Sequence, residues 1–231
     1  MSFAIVIPTL DEEAVLAETL DRVRLHLRAA AGDFLVVTDG GSRDRTVDLA
    51  RAAGAQVVVG PPGRGGQLAR GARHALERGA SALLFLHADT RLPEGARDRV
   101  LACLEQGAAG GGFLVSFAPA TPSLRLGARL VAARTRWLQV PLGDQAQFAG
   151  AEAYARSGGF PDWPLLEDVE LLRRLKRVGR LAIVELPVET SSRRFARRGV
   201  VRTVTTNWLI WGLYAAGVRP RTLSRLYRQV R

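Results

Sequence analysis

Short apolar runs alternate with helical patterns along the first ninety residues of the chain. The runs that predict strands cover residues 3–7, 34–37, 56–59 and 82–86. Between them, apolar residues recur at every third or fourth position, which predicts amphipathic helices; the first of these faces consists of Leu16, Leu20, Val23 and Leu27. Strict alternation of strand and helix favours an α/β, Rossmann-like fold, with a mostly parallel sheet flanked by helices.

The pattern loosens beyond residue 90. It predicts helices over residues 93–106, 124–138 and 165–178, and strands over 113–117 and 181–185. The uncharged run 203–218 is shorter than the roughly 20 residues that span a bilayer. Its aromatic residues and flanking arginines favour a helix lying on an anionic membrane face; packing on the core or in a dimer interface is the alternative. We therefore expect one domain over residues 1–198 and a basic amphipathic helical tail over 199–231.

The charge is distributed unevenly. The chain has a formal net charge of +11, and residues 191–231 contain ten arginines and no acidic residue. Such a field attracts anionic surfaces, but arginines without a nucleic-acid-binding fold are a weak signal for RNA or DNA, so no nucleic-acid partner is expected. A single cysteine and the absence of a charged leader followed by an apolar core predict a cytoplasmic protein. The basic tail would make it peripheral on the inner membrane face.

The loop after the second predicted strand is the strongest local signal. The strand stops at Asp39, which two glycines follow, and in open α/β sheets ligands bind beyond the carboxyl ends of the strands. Ser42 and Asp44 are expected to cap the helix that begins near Thr46. Residues 9–12 have the form of a capping box for the first helix. The pattern predicts a nucleotide site here; a plain cap and tight turn is the alternative.

Acidic residues at the ends of elements predict one cleft. Asp39 and Asp89 follow neighbouring strands, and Glu167 and Asp168 stand near the start of a helix. A carboxylate beside a bound diphosphate suits Mg²⁺ or Mn²⁺, which take oxygen ligands. His87, two residues before Asp89, would point to the same side of an extended strand. A structural histidine and an acidic helix N-terminus favoured by the macrodipole are the alternatives.

Six motifs in order carry a resemblance to a family. They are Ile7-Pro8-Thr9-Leu10-Asp11-Glu12-Glu13, the segment from Thr38 to Thr46, Gly63-Arg64-Gly65-Gly66-Gln67, His87-Ala88-Asp89-Thr90, the segment from Ala153 to Phe160, and Glu167-Asp168-Val169-Glu170-Leu171. With these motifs, residues 3–190 resemble the inverting nucleotide-sugar glycosyltransferases with the GT-A fold, in the group that includes dolichyl-phosphate-mannose-synthase-like enzymes.

The resemblance implies a role for each matching residue. It implies a nucleoside pocket lined by Pro8, Thr9 and Glu12, and a base, commonly uracil, read by Asp39. Arg64 would approach the diphosphate, with His87 nearby on the donor side. Asp89 would hold Mn²⁺ or Mg²⁺, although His87 replaces the first acid of the family's Asp-x-Asp motif. Asp168 would be the general base for the acceptor, with Glu167 beside it.

Further motifs resemble a narrower bacterial subgroup, often found beside radical-SAM and selenium-domain proteins. They include Gly143-Asp144-Gln145 and Ser191-Ser192-Arg193-Arg194-Phe195. Asp144 and Gln145 could bind the acceptor, and Arg193 and Arg194 could clamp the diphosphate; a loop-capping aspartate and a solvated basic tail are the alternatives. The Gln-x-x-Arg-Trp motif of processive relatives is absent, which argues against polymer synthesis.

The sequence thus predicts transfer of one sugar from a nucleotide-sugar donor to an acceptor, a lipid phosphate or a small metabolite, with inversion. A homodimer is left open. A sugar-nucleotide pyrophosphorylase is the nearest enzymatic alternative, but such enzymes carry a Gly-x-Gly-x-Arg loop after the first strand. A binding module without catalysis, for a nucleotide or an anionic surface, is the alternative from another class.

Overall fold

A computed structural model describes residues 1–192 and 200–230 of the chain. Its centre is one eight-stranded sheet in the order β3-β2-β1-β4-β7-β6-β8-β5. The strands are β1 (Phe3–Thr9), β2 (Phe34–Asp39), β3 (Gln56–Val59), β4 (Ala82–Phe85), β5 (Thr90–Arg91), β6 (Gly110–Ala118), β7 (Phe148–Gly150) and β8 (Leu181–Ser191).

Helices cover both faces of this sheet. They are α1 (Glu13–Arg24), α2 (Thr46–Ala52), α3 (Arg64–Glu77), α4 (Ala96–Glu105), α5 (Pro122–Leu138), α6 (Ala151–Ser157), α7 (Glu167–Val178), α8 (Val200–Ala215) and α9 (Pro220–Val230). Short 3-10 turns occupy Ala29–Ala31 and Gly143–Gln145. The predicted α/β fold is confirmed.

The first half of the sheet is parallel. β1 pairs in parallel with β2 and with β4, and β2 pairs in parallel with β3. The register sets Thr9 opposite Asp39, so the carboxyl ends of these strands meet at one edge. The second half is mixed, because β7 runs antiparallel to β4 and β6, β5 runs antiparallel to β8, and β6 and β8 are parallel.

Alternation along β1 divides the core between the two faces. Phe3, Ile5 and Ile7 belong to a buried cluster with α1 and α4, whereas Ala4 and Val6 belong to another with α3 and α7. Successive side chains of a strand point to opposite faces, so a strand covered on both faces is apolar throughout. The predicted apolar face of α1 is confirmed for Leu16, Leu20 and Val23, which are buried. Leu27 lies beyond the end of the helix and packs, partly buried, against the same core.

The two C-terminal helices pack against the protein. Ile210 of α8 and Leu223 of α9 are buried in one cluster with Leu166, directly before α7. The rings of Tyr214 and Trp163 also meet edge to face at 6.4 Å. The sequence favoured a helix lying on a membrane, but these apolar side chains of α8 face the protein, as in the packed alternative. The predicted domain boundary at residues 198 and 199 lies outside the described residues.

Among the residues that the structure describes, no helix combines the length and the apolar character needed to cross a bilayer.

The sequence patterns missed the short elements. β5 and β7 have two and three residues, and α6 has seven. None of the three is long enough to show a hydrophobic period in the sequence. The two strands take their place only through hydrogen bonds to neighbouring strands.

Candidate active site

The candidate site lies at the edge where β1, β2 and β4 end. The loops that follow β1 and β2 are hydrogen-bonded to each other. The N–H of Asp11 donates to the Ser42 hydroxyl at 2.9 Å, and the Asp11 carboxylate accepts from the N–H of Arg43 at 2.8 Å. The N–H of Glu12 donates to the Thr46 hydroxyl at 2.8 Å. These bonds fix two loops that sequence analysis assigned to one nucleoside pocket, in which Pro8 is partly buried at the end of β1.

Asp39 is fully buried and shapes the second loop. One carboxylate oxygen accepts from the N–H groups of Gly41 and Ser42 at 2.8 Å, and the other accepts from the Thr9 hydroxyl at 3.2 Å. Buried polar atoms of this kind are held by such partners. The carboxylate therefore holds the backbone of residues 39–42 in its turn and is not presented to solvent.

The two predicted helix caps differ from the structure. Residues 9–12 form no capping box, because Thr9 belongs to β1 and donates to Asp39, and α1 begins at Glu13 without a side-chain cap. Ser42 does not cap α2, since its hydroxyl donates to Asp39. The Asp44 carboxylate does accept from the N–H of Thr46, the first residue of α2, at 2.9 Å.

Gln67 connects these loops to α3, and sequence analysis assigned it no role. Its side-chain amide donates to the carbonyls of Thr9 at 2.7 Å and of Thr38 at 2.8 Å. Its oxygen accepts from the N–H of Gly63 at 3.2 Å. An amide side chain in the first turn of a predicted helix, directly after a glycine-rich loop, was the signal available in the sequence.

Arg64 brings the starts of two helices together. It is the first residue of α3, and its guanidinium donates to the carboxylate of Glu167, the first residue of α7. Its Nη2 lies 3.5 Å from Oδ2 of Asp168. Glu167 is 1% exposed and Asp168 8% exposed. Burial lowers the pKa of Arg64, but the two carboxylates outweigh it and hold that pKa above its usual value.

Gly143 completes this contact. Its N–H donates to Oδ2 of Asp168 at 2.6 Å, and Oδ1 accepts from the N–H of Val169 at 2.9 Å. A Cβ atom on Gly143 would lie 2.7 Å from the Arg64 guanidinium and 3.0 Å from the Asp168 carboxylate. Only glycine leaves room for the three groups to meet, so the carboxylate of Asp168 is fixed in orientation.

Gln145 holds the loop that carries Gly143. It is fully buried, and its amide donates to the carbonyl of Phe113 at 2.7 Å and to the Thr135 hydroxyl at 3.1 Å. Its oxygen accepts from the N–H of Leu142 at 2.9 Å. The side chain predicted to contact acceptor or diphosphate is thus engaged in positioning residues 141–145.

Asp144 and Arg134 add charge beside Asp168. Burial, reinforced by repulsion from Asp168, raises the pKa of Asp144. Arg134, from α5, donates to the Gln145 side chain at 3.1 Å and lies over the Trp211 ring at 5.6 Å. Burial lowers its pKa, although Asp144 and Asp168 oppose the change. Sequence analysis missed Arg134, because an arginine in a helix with exposed arginines carries no distinguishing signal.

His87 and Asp89 follow β4, which ends at Phe85. The N–H of Thr90 donates to the carbonyl of His87 at 3.1 Å, so this segment turns. The expectation that both side chains point to one side of an extended strand is therefore wrong. Burial, with Arg64 nearby, lowers the pKa of His87 to about 3, so its imidazole is neutral at neutral pH.

The side chains around Asp89 fit a metal site that substrate phosphates complete. Within the described ranges, no three histidine, cysteine or acidic side chains form a cluster that could hold an ion. Mg²⁺ and Mn²⁺ are often bound by one or two carboxylates together with substrate phosphates. A partly buried Asp89 beside a neutral His87 suits an ion of that kind.

The structure therefore brings together Arg64, Asp144, Glu167 and Asp168. It places Thr9 and Asp39 at the ends of β1 and β2, and Glu12 in the loop that follows β1. Arg193 and Arg194 lie outside the described residues.

In open α/β sheets, ligands bind beyond the carboxyl ends of the strands, which is where this charged cluster lies. The family model for glycosyl transferase family 2 matches residues 4–136, more than half of the chain. The chain belongs to this family.

One named relative matches a shorter segment. It is a PGL/p-HBAD biosynthesis glycosyltransferase of Mycobacterium tuberculosis, 38% identical over 104 residues, which cover 40% of this chain and 37% of the relative. The chain thus aligns with well under half the length of that protein.

Solved structures share the fold. S. aureus TarS 1–349 superposes with a TM-score of 0.65 at 14% identity, covering 83% of this chain and 61% of TarS. Glucosyl-3-phosphoglycerate synthase from Mycobacterium tuberculosis, in complex with Mn²⁺, UDP-glucose and glycerol 3-phosphate, gives a TM-score of 0.56 at 24% identity, covering 80% of this chain and 70% of the synthase.

Proposed function

We propose that this family 2 glycosyltransferase moves one sugar from a nucleotide-sugar donor to an acceptor hydroxyl or phosphate, with inversion. The observation that carries the proposal is the cluster of Arg64, Glu167 and Asp168, oriented by Gly143, beside the interlocked loops after β1 and β2. The UDP-glucose and Mn²⁺ bound to the synthase of similar fold support a nucleotide-sugar donor and a divalent ion.

The nucleoside end of the donor is assigned to the loops after β1 and β2. Pro8, Thr9 and Glu12 would line the pocket, as the resemblance implies. Because both Asp39 oxygens are engaged within the loop, we assign Asp39 to holding the backbone of residues 39–42 in the shape that receives the base. UDP is the nucleotide of first choice, since the synthase of similar fold binds UDP-glucose.

The diphosphate is assigned to Arg64, with His87 as a neutral neighbour. A guanidinium suits phosphate oxygens, and Arg64 keeps its charge between two carboxylates. Asp89 would hold Mn²⁺ or Mg²⁺, which would supply Lewis-acid stabilisation of charge on the leaving group. The remaining steps depend on residues of the chain itself.

Asp168 is the proposed general base. Its carboxylate would take the proton from the acceptor oxygen, which then forms a bond to the anomeric carbon as the bond to the diphosphate oxygen breaks. Attack from the face opposite the leaving group inverts the configuration. Glu167 is occupied by Arg64, so we assign it to positioning that arginine.

The acceptor side is assigned to the loop before β7. Asp144 lies among Asp168, Arg134 and Arg64, which suits a polar acceptor, and Gln145 would position the loop. Arg193 and Arg194 stay predicted diphosphate contacts. A lipid phosphate and a small metabolite are both compatible with this charge. Contact of the basic tail with an anionic membrane, a cytoplasmic location and a homodimer also stay predictions.

A screen of nucleotide-sugar turnover tests the proposal. The protein is incubated with UDP-, GDP- and dTDP-sugars, each with Mn²⁺, Mg²⁺ or EDTA, and release of the nucleoside diphosphate is measured. We expect turnover of one donor class with a divalent ion and none with EDTA. Release of pyrophosphate from a nucleoside triphosphate and a sugar 1-phosphate, supplied in a parallel reaction, would instead indicate a pyrophosphorylase. Binding of UDP with Mn²⁺ but no turnover of any donor would indicate a binding protein.

A further inference from the structure

Helix α5 exposes an apolar row on its outer surface. Leu126 is 58% exposed, Leu130 64% and Trp137 85%, and Ala133 is also exposed. These positions are three or four residues apart, so they lie on one side of the helix. Large apolar side chains grouped on a surface in this way mark an interaction site more often than single exposed ones do.

The opposite side of α5 anchors the helix to the protein. Leu124 and Thr135 are buried, and Ala128 and Val131 pack against the main core. The Thr121 hydroxyl accepts from the N–H of Leu124 and caps the helix. The exposed row is therefore carried by a fixed helix of the domain.

An arginine row runs beside the apolar one. Arg125 and Arg129 are exposed, and Arg136 pairs with Glu185 of β8. Arg125 and Arg129 line a shallow groove with Ser116. The chain has no acidic residue from position 106 to position 143. This surface is cationic as well as apolar.

The positive charge of this surface favours one of two possible partners for the apolar row, a bilayer over a second copy of the chain. If two copies paired antiparallel through α5, their arginine rows would lie side by side, and α5 itself has no acid to compensate. A bilayer with anionic lipids offers phosphates to the arginines and an apolar interior to the leucines and the tryptophan.

We propose that α5 docks this protein on the surface of a bilayer that contains anionic lipids. Leu126, Leu130 and Trp137 enter the boundary between headgroups and acyl chains, and Arg125 and Arg129 contact lipid phosphates. This surface is distinct from α8, whose side chains Ile210, Leu213 and Tyr214 pack in a cluster with Leu165, Leu166 and Val169.

The docking would also place the acceptor loop at the membrane. Helix α5 ends at Leu138 and leads directly into the loop with Gly143 and Asp144. If the proposed function holds, a lipid-borne acceptor would reach Asp168 from that side. The docking itself does not depend on transfer activity.

Co-sedimentation of the full chain with vesicles tests the docking. We compare vesicles of phosphatidylcholine with vesicles of phosphatidylcholine and phosphatidylglycerol. The variants are Leu126→Ser with Leu130→Ser, Arg125→Gln with Arg129→Gln, and Leu25→Ser as the control. Leu25 is 85% exposed at the end of α1, so its substitution removes a similar side chain elsewhere. Circular dichroism confirms that each variant is folded.

We expect the wild type to bind only the vesicles with phosphatidylglycerol. Each α5 double variant should lose about tenfold or more in partitioning, whereas Leu25→Ser should bind as the wild type does. Brominated lipids should quench the tryptophan emission of the wild type and quench Trp137→Phe less. This readout needs no nucleotide sugar, so its failure is distinguishable from failure of the proposed transfer.

Three results would overturn the docking. One is an absence of wild-type binding to phosphatidylglycerol vesicles, and another is unchanged binding of the leucine double variant. The third is a wild-type dimer in sedimentation velocity that the leucine double variant converts to a monomer, since α5 would then be a contact between copies of the chain.

Discussion

Arg64 Nη2 lies 3.5 Å from Asp168 Oδ2, at the point where the first turns of α3 and α7 meet. The same guanidinium donates to Glu167, which is almost completely buried. One arginine therefore pairs with two adjacent carboxylates, and it stands where a diphosphate would arrive at the helix starts. Stability and proposed donor binding depend on the same side chain.

Replacing Arg64 should separate those two contributions. In Arg64→Gln the buried Glu167 carboxylate loses its charged partner. Such a loss lowers the free energy of unfolding by several kcal/mol when both partners are buried. We expect about 2 kcal/mol here, because Arg64 is partly exposed. Adding Glu167→Gln should recover at least half of that loss, yet transfer should stay low in both variants. Urea unfolding and a transfer assay measure the two effects. Equal stability of Arg64→Gln and wild type would contradict the structural role.

Asp168→Asn tests the proposed base. The amide is nearly isosteric, and its oxygen still accepts from the Gly143 N–H, but it cannot take a proton. We expect transfer to fall about a thousandfold with little change in donor affinity. Calorimetry with UDP and Mn²⁺ measures the affinity. Glu152→Gln, an exposed acid of α6, is the control and should keep full activity. Activity of Asp168→Asn near the wild-type level would exclude Asp168 as the base.

Gly143→Ala should disturb the site without unfolding the protein. The new methyl group would meet Arg64 and Asp168 at 2.7 and 3.0 Å, so one of them must move. We expect kcat to fall about tenfold to a hundredfold, as for small displacements of positioned groups. The control is Gly127→Ala in α5, where a Cβ meets nothing within 4 Å. That variant should gain about 0.5–1 kcal/mol in stability and keep its activity.

The ion pair of Asp33 and Arg97 predicts a pH dependence of stability. The two meet at 2.5 Å, and Asp33 also accepts from the N–H groups of Phe3 and Arg28. Burial opposes ionisation, but these partners hold the pKa of Asp33 below its ordinary 3.8. A lowered folded-state pKa gives stability that is present above pH 3.8 and is lost as the pH falls through the folded-state value.

Asp33→Asn should therefore lose about 2–4 kcal/mol of unfolding free energy near pH 7, because Arg97 keeps only the half-exposed Asp98 carboxylate, at 3.4 Å, as a charged partner. The difference in unfolding free energy between this variant and the wild type should shrink below pH 3.8. Thermal unfolding from pH 7 to pH 2.5 measures both curves. Parallel curves for the two proteins over this range would show that Asp33 does not titrate as expected.

The sequence by itself determined the strand and helix alternation and the location of the candidate donor loops. Period-two and period-3.6 patterns reflect which side of each element is buried, so residues 3–9 and 13–24 show their structure locally. Glycines after Asp39 and before Arg64 likewise marked the loops, because the chain must turn there. The family motifs lie in these same segments.

Tertiary structure decided which groups meet and how each is used. The contact of Arg64 with Glu167 joins residues far apart in the chain, and no local pattern encodes it. The sequence indicated that Asp39 contacts a ligand, but its carboxylate accepts hydrogen bonds from neighbouring residues of the protein. Arg134 becomes distinct from the other arginines of α5 only because it faces Gln145. Local periodicity records burial along one element, whereas hydrogen-bond partners and pKa shifts arise only when separate elements pack together.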